Sequence, residues 1–207
     1  MTTPYNAAAV HEALGNWRKA TGKDPRPDWG RAIEAYEEAL AIRPTMAEGE
    51  MNRGLVFVMQ GRWKRDHGED PGEEFAKAMK GYEKALELRP GFVEALANVA
   101  TLRLDIGRWK AASGTDPVPD YREALVALGK ALEINPRAHR LYNALGNAKR
   151  TLGEARGEEG EEDLRAAVEA HGKAVEMNPA YPEAWNGLGA DWRSIAGLAR
   201  RGGGDAA

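Results

Sequence analysis

The sequence contains no cysteine. Disulfide frameworks, thiolate metal sites and cysteine nucleophiles are therefore excluded. Neither sign of charge dominates. There are 32 acidic against 29 basic residues, for a net charge of -3, so the chain as a whole is not the basic footprint that nucleic acid requires. No apolar run approaches the roughly 18 residues needed to span a membrane. The N-terminal stretch MTTPYNAAAVHEALGNW has no basic segment followed by an apolar one. No secretory signal is expected, and the cytoplasm is the default compartment. Histidine is scarce. His11, His67, His139 and His171 fall at unrelated places, with no repeated ligand spacing, so no metal site is expected. No Ser-His-Asp set, carboxylate pair or phosphate-cradling glycine loop can be placed, and a non-enzymatic chain without a cofactor is expected.

What is abundant is alanine, leucine and long charged side chains, with few β-branched residues, a helical composition. One segment is written four times: AIEAYEEALAIRP at 32–44, AMKGYEKALELRP at 78–90, ALVALGKALEINP at 124–136 and AVEAHGKAVEMNP at 167–179. Pro44, Pro90 and Pro136 recur every 46 residues, and Pro179 follows after 43. Within each copy the apolar residues keep helical spacing. The closing proline stops the helix, because it restricts the residue before it and donates no hydrogen bond. A second helical pattern follows each proline: AEGEMNRGLVFVMQGRWKR, VEALANVATLRLDIGRWKA, HRLYNALGNAKRTLGEA and PEAWNGLGADWRSIAGLAR.

This pattern resembles the tetratricopeptide repeat. In that family helix A carries Trp, Leu, Gly and an aromatic, and helix B carries Ala, Ala and Pro. Trp185, Leu188, Gly189 and Trp192 match helix A; Ala78, Ala85 and Pro90, and Ala124, Ala131 and Pro136, match helix B. The likeness covers nearly the whole chain. The period is about a dozen residues longer than the usual repeat, and Glu50 and Arg53 stand where helix A normally has large apolar residues. At three residues apart they can pair on one helix face.

The extra length lies between helix A and helix B, where three stretches agree: GNWRKATGKDPRPDW at 15–29, GRWKRDHGEDPGEEF at 61–75 and GRWKAASGTDPVPDY at 107–121. Gly22, Gly68 and Gly114 suit a left-handed helix stop. Asp24, Asp70 and Asp116 suit an N-terminal cap, with proline in the following first turn. The spacing predicts longer helices joined by a tight corner. Residues equidistant from the corner face each other in a hairpin, so Trp17–Trp29, Trp63–Phe75 and Trp109–Tyr121 are expected to staple their own hairpins. In the fourth repeat GEARGEEGEEDL lacks the corner, and Ala155 and Leu164 replace the aromatic pair. Its acidic run, 157–163, reads as a solvated first helical turn favoured by the helix dipole.

The expected architecture is all-α: a solenoid resembling tetratricopeptide repeats, with four helix hairpins and a C-terminal helix. Repeats are placed at about 1–44, 45–90, 91–136 and 137–179, with a final helix at 180–200 and a flexible tail at 201–207, all in one domain. By resemblance the A helices line a concave face. That face offers Met51, Leu55 and Val58 in repeat two, Asn143, Asn147 and Arg150 in repeat four, and Asn186 and Arg193 in the last helix. Methionine adapts to varied partners, amides pair with an extended backbone and arginine forks onto carboxylates. The face therefore reads as a groove for a peptide or protein with an apolar and an acidic or C-terminal portion. A second reading has Met51 and Leu55 pack only against neighbouring helices, with asparagine ordinary for the repeat.

The last helix spreads its apolar residues too widely for one docking surface. Trp185, Trp192 and Ile195 are candidates for self-association, head to tail, into an oligomer or filament. Three functions remain: an interaction scaffold, a self-assembling structural protein, or a regulatory part of a bacterial signalling protein. None involves nucleic acid or a membrane span.

Overall fold

The computed structural model describes residues 3–202. The helices are α1 (Pro4–Ala20), α2 (Arg26–Ile42), α3 (Ala47–Asp66), α4 (Gly72–Leu88), α5 (Val93–Ala112), α6 (Val118–Ile134), α7 (His139–Arg156), α8 (Glu161–Met177) and α9 (Pro182–Gly202), with a short 3-10 turn at Gly157–Gly160 before α8. Among the described residues there is no strand. Helix α9 runs through Gly202, past the limit expected for it, while residues 203–207 of the expected tail lie outside the described residues. The chain divides into two compact units, Met1–Asn98 and Val99–Ala207.

Each B helix (α2, α4, α6, α8) ends for the reason its proline implies. Arg43, Arg89, Asn135 and Asn178, each just before a proline, leave helical geometry with φ of -133°, -143°, -128° and -145°. The three glycine corners are alike. Gly22, Gly68 and Gly114 have φ of 73°, 75° and 74°, a conformation that costs a side chain energy. Around them the chain closes with the paired bonds of a Schellman stop. In the first copy the Lys23 N–H reaches the Arg18 carbonyl at 2.9 Å and the Gly22 N–H reaches Lys19 at 3.1 Å; the other two repeat this. The cap position itself is held by Pro25, Pro71 and Pro117, not by the aspartates expected there; each aspartate stands one residue earlier and turns the chain into the helix as an Asx turn. Asp24, Asp70 and Asp116 accept the N–H groups of Arg26, Gly72 and Val118 at 3.0, 2.9 and 3.0 Å.

The aromatic staple is built differently from the expectation. The aromatic ring of each early B helix lies on a glycine of its own A helix, two residues before the tryptophan. A Cβ at Gly15 would sit 2.3 Å from Trp29, one at Gly61 2.6 Å from Phe75, and one at Gly107 2.3 Å from Tyr121. Trp63 instead turns to the preceding hairpin and meets Trp29 edge-on, with centroids 6.4 Å apart. Trp17, in the first helix, is 53% exposed, with the Lys23 ammonium 5.0 Å from its ring centre. A backbone without a side chain lets two helices approach closely, and a flat ring fills the space.

Beside each ring, and beside Leu164 in the fourth hairpin, sits an ion pair in the same register: Arg18–Asp28 at 2.5 Å, and Lys64–Glu74, Lys110–Asp120 and Arg156–Asp163 at 2.6 Å. Asp28, Glu74 and Asp120 are buried. Each hairpin thus joins the basic end of helix A to the acidic start of helix B, as both helix dipoles favour. The fourth hairpin keeps the ion pair without the glycine-aspartate-proline corner. Glu50 and Arg53 pair at 2.6 Å.

In the N-terminal unit Ala8, Trp29, Ala32, Ile33, Tyr36 and Val56 form one core cluster. The Tyr36 hydroxyl donates to Glu12 at 3.1 Å. Burial, only partly offset by that bond, raises the Glu12 carboxyl above its ordinary pKa. A raised carboxylate destabilises the fold above its folded-state pKa, and the penalty fades as pH falls toward the unfolded value. Glu12→Gln keeps an acceptor for Tyr36 and removes the charge. It is expected to raise stability at pH 7, with the gain shrinking toward pH 4; urea melts at the two pH values check this.

Candidate functional site

The helix-A faces carry the residues singled out from sequence. In the N-terminal unit Met51 is half-buried against Ala47, Ala85, Phe92 and Ala95, and Leu55 is half-buried. Val58 is 2% exposed and packs inside, so a ligand on this face does not meet it. Helix periodicity places position 58 between the exposed face and the face turned toward α4, and a β-branched apolar side chain there is drawn inward.

In the C-terminal unit the polar residues are held by one another. Asn147 accepts from Arg150 at 3.0 Å. Arg150 also lies 3.6 Å from Glu154 and 3.2 Å from Asp191. Asn143 is half-buried, and Asn186 and Arg193 are exposed. Glu154 accepts the Ser194 hydroxyl at 2.6 Å. Together α7 and α9 form an open cleft of about 430 Å³ whose lining includes Arg150, Glu154, Arg193, Ser194 and Arg201. Neither Arg193 nor Arg201 has an ion-pair partner among the described residues. Arg150 and Glu154 also border a second cleft of about 910 Å³, on the side of the third corner and Tyr121.

Behind Arg150 lies a pair the sequence reading passed over. Asp191 and His171 are both 0% exposed, with Nδ1 of His171 donating to Asp191 at 2.6 Å. The imidazole slots between two glycines: a Cβ at Gly146 would come within 2.6 Å of the ring and one at Gly187 within 2.4 Å. The repeat itself carried the signal. Asp191 stands in the register of Val56, Leu102 and Ala148, and His171 in that of Tyr36, Tyr82 and Leu128, all of them interior positions. Arg150 is consequently part structural and part surface, with its guanidinium anchored at one edge on a buried carboxylate.

Along the other side of α9, Trp185 and Trp192 are 54% and 56% exposed, and Ile195 is half-buried. The Trp185 ring nitrogen donates to the Pro179 carbonyl at 3.0 Å. Among the described residues no three His, Cys, Asp or Glu side chains gather as a metal set, and no helix is long and apolar enough to cross a membrane.

No protein family profile matches the sequence, and no curated protein matches it. Solved structures do match in fold. A tetratricopeptide repeat protein from Parabacteroides merdae ATCC 43184 is 18% identical, with a TM-score of 0.60 over 96% of this chain and 62% of that one. MamA from Desulfovibrio magneticus RS-1 is 19% identical, with a TM-score of 0.57 over 94% and 90%. PilF of Pseudomonas aeruginosa is 18% identical, with a TM-score of 0.56 over 97% and 75%. At this identity the likeness is one of fold. Helix pairs closed by proline, small residues where the helices touch, and these neighbours agree: the fold is all-α and tetratricopeptide-like, with lengthened hairpins.

Proposed function

We propose that the chain is a protein-interaction scaffold that takes an acidic peptide or protein segment on the helix-A face of its C-terminal unit. The cleft between α7 and α9 carries the reading. It is open to solvent and is lined by three arginines against one glutamate; Arg193 has no ion-pair partner among the described residues, and Arg201, whose Nε donates to the Gly197 carbonyl at 3.3 Å, keeps its terminal nitrogens for a carboxylate. Asn186, exposed on the same helix, offers an amide to an extended backbone. The reading needs no catalytic group, and the His171–Asp191 pair is sealed from solvent.

The test must leave Arg150 intact, since it faces buried Asp191. A random peptide library panned on the chain is expected to yield acidic sequences. Arg193→Ala with Arg201→Ala is expected to weaken the selected peptides at least tenfold while leaving the melting temperature within a degree or two. Binding should also weaken with salt, as exposed charge pairs do. Enrichment of neutral or basic peptides, or affinity unchanged in the double variant, would sink the proposal.

A further inference from the structure

Four hairpins show what a helix A looks like when its own helix B is in place. Gly54 and Gly146 hold one register: a Cβ at the first would come within 2.9 Å of the Tyr82 ring on α4, and at the second within 2.6 Å of the His171 ring on α8. Two turns on, Gly15, Gly61, Gly107 and Gly153 are filled in the same way by Trp29, Phe75, Tyr121 and Leu164. A cation near the end of helix A then meets an acid near the start of helix B.

Helix α9 is a helix A with no helix B seated on it among the described residues. In the register of Gly54 and Gly146 it has Gly189, where a Cβ would approach nothing closer than an Arg193 nitrogen at 3.8 Å. Trp185, Gly189, Trp192 and Ala196 form one stripe at helical spacing; Trp185, Trp192 and Ala196 are exposed and Gly189 is half-exposed. Arg200, one residue past the register of the paired cations, is exposed and has no ion-pair partner among the described residues.

We propose that this stripe is a seat for one amphipathic helix from a partner protein, lying antiparallel to α9 as a helix B does. Its chemistry follows from the seat. An acidic first turn meets Arg200. The residue right after that acid, small or aliphatic, passes Ala196, which replaces the glycine of all four complete hairpins and leaves less room. Two turns further on, a flat ring such as tyrosine or histidine rests on Gly189 between the two tryptophans. Charge separates this occupant from the first helix of a second copy. Helix α1 does have an exposed apolar side in Val10, Leu14 and Trp17, but it has no acidic residue in its first turn.

The chain's own α8 meets the description: three acids in its first turn, then Leu164, then His171. The probe is therefore a synthetic peptide of residues 161–177, held helical by a hydrocarbon staple on its solvent side, titrated calorimetrically into the full chain. One-to-one binding is expected. Replacing Glu161, Glu162 and Asp163 of the peptide by lysine should weaken it at least tenfold. Gly189→Leu in the chain should do the same by filling the seat; the nearest atom to its Cβ would be an Arg193 nitrogen at 3.8 Å, the movable end of a long side chain. Absence of binding, or equal binding by the charge-reversed peptide or by the Gly189→Leu chain, overturns the proposal. So does a molar mass, measured by light scattering on the chain alone, that grows with concentration and reverts in Gly189→Leu, since a second copy would then occupy the face. Arg201→Ala alone keeps the stripe and Arg193, the side chain nearest Gly189, in place, so failure of the acidic-peptide cleft and failure of this seat are separate results.

Discussion

His171→Leu is expected to cost the C-terminal unit about 3 kcal/mol or more, and adding Asp191→Leu is expected to return most of it. The single change strips the buried Asp191 carboxylate of its 2.6 Å donor and leaves it with Arg150, whose Nε is 3.2 Å away without hydrogen-bond geometry. An incompletely compensated buried charge is among the most destabilising defects a fold can carry. Asp191→Leu alone should be milder, at about 1–3 kcal/mol, because the imidazole it orphans can stay neutral and Arg150, which loses the same carboxylate, keeps Glu154 and Asn147. In the double variant both polar groups are gone, and each position returns to the apolar character of its repeat register, Leu128 for one and Leu102 for the other. Leucine and histidine are close in volume, so the slot between Gly146 and Gly187 stays filled. Chemical denaturation of the four proteins gives the coupling energy directly. A double variant as unstable as the sum of the singles would mean that leucine does not fit the slot, and that the polar pair is required by shape.

That cycle also shows where the sequence was legible. The helices, their ends and the glycine corners could be read because each rests on chemistry within a few residues: a proline that halts a helix, a glycine at positive φ, an aspartate that turns the chain into the next helix, though one residue ahead of the cap position expected for it. The ion pairs at 18–28, 64–74, 110–120 and 156–163 could be read only as adjoining basic and acidic helix ends, since the partner of each charge depends on the hairpin closing. The tryptophan staples were misread for the same reason. Symmetric distance from a corner says that Trp63 and Phe75 stand at one level of a hairpin. It does not say that Phe75 will prefer a glycine, or that Trp63 will turn to Trp29 of the hairpin before. Val58 escaped because apolar residues on a helix-A face serve a groove and a core equally well in a sequence. Asp191 and His171 escaped because ionisable residues are ordinarily assigned to the surface. Comparison down the repeat register, rather than around one helical wheel, marks them as interior.

The same comparison predicts opposite signs for two glycines in equivalent kinds of position. Gly107→Val is expected to destabilise by about 3 kcal/mol, at the upper end of what overpacking commonly costs. Its Cβ would lie 2.3 Å from Tyr121 Cε1 and 3.0 Å from Cζ. The ring cannot swing away, because Tyr121 is buried and adjoins Asp120, which is held by Lys110 at 2.6 Å. Better helix propensity offsets only a few tenths of a kcal/mol. Gly189→Ala should do the reverse. Its Cβ has room, and the change removes a flexible residue from the middle of α9, for a gain of about 0.5–1 kcal/mol. For a chain of this size each kcal/mol moves the melting temperature by roughly 2–4 °C, so calorimetry should separate the two variants by more than their errors. Pairing Gly107→Val with Tyr121→Ala decides the cause. If steric conflict is responsible, the double variant costs less than the two singles added together, because the methyl groups of valine then occupy space the ring has vacated. Strict additivity would place the cost in the α5 backbone instead, and would remove close contact between ring and glycine as the device that fixes the spacing of the long hairpins.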